Sequence, residues 1–110
     1  MEHPTFVYTT WPSADDAEAA ARELVGKGLC ACANIIPGMT SIYEWKGTLE
    51  RAAEVVMILK TQPRCVADLM AAVESRHPYD VPAITAFQST DAESRFADWI
   101  VMQTGGPSAT

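Results

Sequence analysis

Two long extended stretches follow each other in mid-chain with only a short turn between them, and this pair constrains the fold more than any other feature. Leu29 to Ile36 reads as extended, Pro37-Gly38 interrupts it as a bend or bulge, and Met39 to Trp45 resumes it. Gly47-Thr48 is expected to turn the chain, and Leu49 to Thr61 runs back, with its apolar residues densest at VVMILK. A hairpin of this length outruns what short helices can cover. Its outer half carries Ile42, Tyr43, Trp45 and Leu49, and a long apolar edge invites aggregation unless something pairs with it. A symmetric copy of the same chain is the economical partner.

The remaining elements are placed by periodicity and punctuation. Thr5 to Trp11 is rich in β-branched and aromatic residues and reads as a strand stopped by Pro12. Ser13 can cap a helix whose apolar stripe, Ala17, Ala20, Ala21, Leu24 and Val25, is mostly alanine and permits close approach to a sheet. Gly28 suits the position just past its end. Pro63 opens a second helix with Val66, Leu69, Met70 and Val73 on one face, ending at His77-Pro78. VPAITAFQS is a further strand. Thr90 and Glu93 fit a capping box ahead of a third helix that presents Phe96, Trp99 and Ile100. Residues 105–110, GGPSAT, are expected to fray. The order β-α-β-β-α-β-α contains the split βαβ, or ferredoxin-like, arrangement: an α+β fold with an antiparallel sheet, helices on one face, a long central hairpin and a C-terminal helix.

Length and charge bound the function. At 110 residues the chain fits one domain, residues 1–110. A net charge of −6, with eight scattered Lys and Arg, argues against nucleic-acid binding, which needs a basic stripe. Cys30 and Cys32 on a strand would lie roughly 6.5–7 Å apart at Cα and do not bridge easily, so a reducing, cytoplasmic compartment is expected. The opening MEHPTFVYTTWPS lacks the pattern of a secretory signal, and no apolar run approaches the roughly 18 residues of a membrane span.

The segments CANIIPGMTSIYEWKG, EVVMILKT and HPYDVPAI, in this order and spacing, resemble the CutA family of divalent-cation tolerance proteins. The resemblance runs from FVYTTWPS to FADWI. It implies a ferredoxin-like subunit in a compact homotrimer whose hairpins pair across subunits, similar in assembly to the PII signalling proteins. It also implies a copper site, with a Cys in the first strand and a His-His pair at the end of the second helix. Here those positions are Thr9 and Arg76-His77. The Cys common in the ACA stretch is Cys32, and the glutamate often found after VP is Ala83. No cofactor is required on this reading. Cu2+ or another divalent cation is expected to bind weakly, through His77 and Cys32 if folding joins them or through the N-terminal His3, with the Arg76 guanidinium opposing a cation beside His77.

Each candidate has a plainer role beside the functional one. His77 can serve as a helix-end hydrogen-bonding group, and Cys32 as a small buried apolar residue. Tyr43 and Trp45 can pack at a subunit interface. Lys60 is either a solvated strand end or a pocket cation for an anion. Tyr79 and Asp80, with His77, either line an intersubunit pocket with Tyr43, Trp45 and Lys60 or form a rigid turn between Pro78 and Pro82. No GxSxG, P-loop, HExxH or CxxC pattern is present. An enzyme is therefore not expected, although a small cofactor-free activity at the HPY cluster stays a competing function. So does a PII-like module binding a small anion or nucleotide between subunits.

Overall fold

The computed structural model describes residues 3–107. Its elements are β1 (Thr5–Trp11), α1 (Ala14–Gly26), β2 (Cys32–Trp45), β3 (Thr48–Thr61), a 3₁₀ turn (Pro63–Cys65), α2 (Val66–Arg76), β4 (Ile84–Gln88) and α3 (Ser94–Gln103). One antiparallel sheet runs β2-β3-β1-β4, so the ferredoxin-like expectation holds.

Strand alternation sends Val7 and Trp11 of β1 and Val55, Met57 and Leu59 of β3 to the helical side. There they meet Ala17, Ala20 and Leu24 of α1 and Leu69 and Val73 of α2 in one core. Full burial of a Leu or Val side chain contributes about 1.5–3 kcal/mol. The alanine stripe of α1 is what lets the helix lie close to the sheet. Helix α1 ends as expected: Gly28, at φ +71°, lets its own N–H bond Val25 O at 3.0 Å and that of Leu29 bond Leu24 O at 3.1 Å.

Three local expectations shift. The hairpin turn is Lys46-Gly47, not Gly47-Thr48. Both turn residues have positive φ, 51° and 82°, and Trp45 pairs with Thr48 across them. This backbone twist matches that of the flanking strands better than a Gly-Thr corner would. Strand β2 begins at Cys32 rather than Leu29. Glu93, not Thr90, caps α3: its carboxylate accepts from the N–H groups of Arg95 and Phe96, which hold its pKa below the usual carboxylate range, with the Arg95 side chain adding to the effect.

Buried Gln62 ties down the end of the chain. Its Nε2 donates to Thr104 Oγ1 and Gly106 O, each at 2.9 Å, and Arg64 Nη2 donates to Gly106 O at 2.8 Å. The tail expected to fray is therefore anchored as far as Gly106; Ser108–Thr110 lie outside the described residues.

Candidate functional site

Strand β1 ends at Trp11, opposite Val55, but β2 and β3 continue to Trp45 and Thr48. Beyond Trp11 the sheet is only two strands wide, which leaves a step beside β1. A bulge at Pro37-Gly38, with Gly38 at φ +87°, re-aims the outer arm at this level. Residues 77–83, held between Pro78 and Pro82, pass over the step. The result is an open cleft of about 580 Å³, walled by Tyr43 and Trp45 from β2, Glu54 from β3, and Tyr79, Asp80 and Val81 from the loop, with Thr10 at its base.

His77 sets the loop. It closes α2, is 9% exposed, and its Nε2 lies 2.7 Å from Thr10 O. A carbonyl only accepts, so Nε2 carries the hydrogen, and Nδ1 is left to accept from the Tyr79 N–H at 3.2 Å. The imidazole packs against Trp11 with ring centroids 4.3 Å apart and planes inclined at 33°. Trp11 Nε1 in turn donates to Thr9 Oγ1 at 2.7 Å, and Thr9 donates to Met57 O at 2.8 Å. This chain of contacts aims Tyr79 across the cleft, where its hydroxyl donates to Glu54 Oε2 at 3.1 Å. Partial burial, then the hydrogen bond to Glu54 and the charges of Glu54, Tyr43 and Asp16, push the Tyr79 phenol up to about 12. It therefore remains a donor at neutral pH.

Tyr43, Trp45, Tyr79 and Asp80 share this cleft, and Lys60 does not. Lys60 sits at the far end of β3, opposite Phe6, with its Nζ 5.5 Å from the ring centroids of Phe6 and Phe96. Cys32 is the cross-strand neighbour of Lys60, level with Phe6 near the start of β1, whereas His77 bonds Thr10 near the end of that strand, so one subunit does not bring Cys32 and His77 together. Arg76 also differs from expectation. Its guanidinium turns to Glu23 of α1 as an ion pair between helices, because that carboxylate faces it across the α1–α2 seam. Glu54 and Trp11 were missed from sequence. A lone carboxylate beside the apolar run VVMIL was the available signal for Glu54; nothing local marked Trp11 as the partner of His77.

No helix among the described residues is long and apolar enough to cross a membrane. Comparison with known proteins gives a consistent picture. The chain is 37% identical over 99 residues to the divalent-cation tolerance protein CutA of Thermus thermophilus, covering 90% of this chain and 96% of that protein. It is 41% identical over 93 residues to protein CutA of Mus musculus, covering 84% of this chain and 52% of that longer protein, so it spans about half the length of such relatives. The crystal structure of the divalent ion tolerance protein CutA1 from Ehrlichia chaffeensis superposes with a TM-score of 0.91 at 34% identity, over 96% of this chain and 98% of that one. Residues 5–103 match the family model for the CutA1 divalent ion tolerance protein. With the sheet order, the long hairpin and nearly the whole length in agreement, the chain belongs to the CutA1 divalent ion tolerance protein family.

Proposed function

We propose that the chain works as a homotrimer in divalent-cation tolerance, through binding and protein contacts rather than catalysis, in a reducing cytoplasmic compartment. The outer arm of the hairpin carries this reading. Ile42 and Leu49 lie on one face of that arm and are 68% and 75% exposed. Strand β2 is a sheet edge with no neighbour beyond it among the described residues. A lone subunit with such an edge is prone to aggregate, and a closed three-fold ring gives every edge the same partner. The three free thiols favour the compartment. Light scattering should return about 36 kDa, three times the 11.9 kDa of one chain. Leu49→Glu should lower that mass. A monomeric wild type ends the trimer reading.

The residues present do not fit the copper site that the resemblance implies. Thr9 is engaged by Trp11 and Met57, Arg76 by Glu23, and both ring nitrogens of His77 are hydrogen-bonded. A copper ion would have to displace one of these hydrogen bonds to reach an imidazole nitrogen, and neither neighbouring position supplies a thiolate or imidazole. Calorimetry should find Cu2+ affinity weaker than micromolar and unchanged in His77→Ala. A tight stoichiometric site lost in that variant would overturn this part of the reading.

A further inference from the structure

We propose that the cleft beside the hairpin root binds a small organic cation, an amine or quaternary ammonium, with its charge against Glu54 and Asp80 and its carbon shell on the rings of Tyr43, Trp45 and Tyr79.

Three independent features of the cleft point to that class. Its wall holds two carboxylates and three aromatic rings, and among the described residues none that lines it is Lys, Arg or His. Glu50, the cross-strand partner of Tyr43, adds a third carboxylate on the same face of the arm. Among the lining side chains an anion would meet the like charge of Glu54 and Asp80, whereas a cation finds both carboxylates and the ring faces. The volume of about 580 Å³ is that of a small-molecule site. Trp45 already takes an ammonium: the Nζ of Lys46, in the adjoining turn, lies 5.9 Å from its ring centroid.

A bare divalent ion is the competing occupant, and the donor set disfavours it. No group of three or more His, Cys, Asp or Glu side chains comes together to hold a metal among the described residues. Tyr79 already uses one oxygen of Glu54, and aromatic rings offer no lone pairs to complete an oxygen shell. The sign of the cleft also runs against a PII-like anion or nucleotide site.

The inference rests on the reading of this protein as a binder rather than a catalyst. It does not rest on the copy number, so the test measures both on one sample. Light scattering gives the mass. Titration with choline chloride, its neutral carbon isostere dimethylbutanol, sodium acetate and magnesium chloride, followed by ¹H–¹⁵N chemical shifts, gives the ligand class. Choline is expected to bind in the millimolar range or tighter, to move the Trp45 indole and Tyr79 amide signals, and to exceed dimethylbutanol on the order of tenfold in affinity. Glu54→Gln keeps an acceptor for the Tyr79 hydroxyl while removing the charge, and should weaken choline on the order of tenfold. Asp80→Asn, at an exposed loop position, is the second variant and should act in the same direction. The proposal is overturned if dimethylbutanol binds as well as choline, if acetate or magnesium binds this cleft in preference, or if choline leaves both signals unmoved in a folded protein. That last result in a sample of trimer mass would separate failure of the ligand class from failure of the assembly.

Discussion

Trp11 packs against His77 with ring centroids 4.3 Å apart and ring planes inclined at 33°, and the two side chains hold the end of β1. The indole donates to Thr9 of its own strand, and the imidazole donates to the Thr10 carbonyl. The one residue that follows α2 thus holds both the strand end and the Tyr79 amide. Removing the ring leaves the Thr10 carbonyl and the Tyr79 N–H without partners. His77→Ala is expected to cost about 2–4 kcal/mol from lost hydrogen bonds and packing. Urea unfolding measures it; a loss below half a kilocalorie would show the clamp to be dispensable.

Thr9→Val preserves shape but removes the acceptor for the buried Trp11 indole. An unsatisfied buried donor costs about 1–3 kcal/mol. Thr9→Ser keeps the hydroxyl and should recover most of that loss. If Thr9→Val and Thr9→Ser unfold at the same urea concentration, the hydroxyl carries no stability.

The two glycines at the end of α1 should respond in opposite directions. Gly26 is helical and an added Cβ there would meet nothing within 4 Å, so Gly26→Ala should stabilise by about 0.5–1 kcal/mol. Gly28 sits at φ +71° with Gln103 O 3.6 Å from an added Cβ. The space is adequate, but the left-handed backbone is not suited to alanine. Gly28→Ala should destabilise by about 1–2 kcal/mol. Equal melting temperatures for the two variants would contradict the cap geometry.

Alkaline pH should weaken the fold through Cys30. Burial, with a smaller effect from Cys32, pushes its thiol from 9.0 up to about 12. The unfolded chain loses this proton near its ordinary value while the folded chain retains it. The associated stability is therefore fully present below the unfolded value and declines as pH rises toward the folded one. Between these limits the slope from this group is at most about 1.4 kcal/mol per pH unit. Cys30→Ala should flatten the decline in urea midpoints between about pH 9 and about pH 11 relative to wild type. An unchanged slope would place the cause in other groups.

Much of the fold was legible because its signals are local and strong. The heptad-like stripe of α2 from Val66 to Val73, the alanine face of α1 and the stop at Pro12 each follow from periods and punctuation that one segment carries alone. The long hairpin was readable for the same reason. The turn slipped by one residue because Lys46, a non-glycine at positive φ, carries no turn signature of its own. The cap of α3 slipped because the helix begins at Ser94, so the Glu93 carboxylate serves the N–H groups of Arg95 and Phe96, beyond those that Thr90 would have reached. The site was legible only in part. Tyr43, Trp45, Tyr79 and Asp80 were recognisable as chemistry-bearing residues, and four such residues do meet in one cleft. Glu54 joins them only because β3 outlasts β1, a matter of strand register. Lys60 leaves them for the same reason: six positions along an extended strand separate it from Glu54, roughly 20 Å.

The register of the sheet also sets the order in which the molecule comes together. Trp45 and Thr48 meet across a two-residue loop, whereas Thr5 meets Gln88 across most of the chain. Hairpins close in about 1–10 μs, and distant strands carry a larger loop-closure entropy before any contact rewards them. The hairpin can therefore zip early, while β4 docks late and brings the loop from His77 to Ala83 to rest. The cleft exists only after that final docking, since one wall belongs to the earliest element and the other to the latest. A transient release of β4 in the finished protein would open the cleft while leaving the hairpin standing.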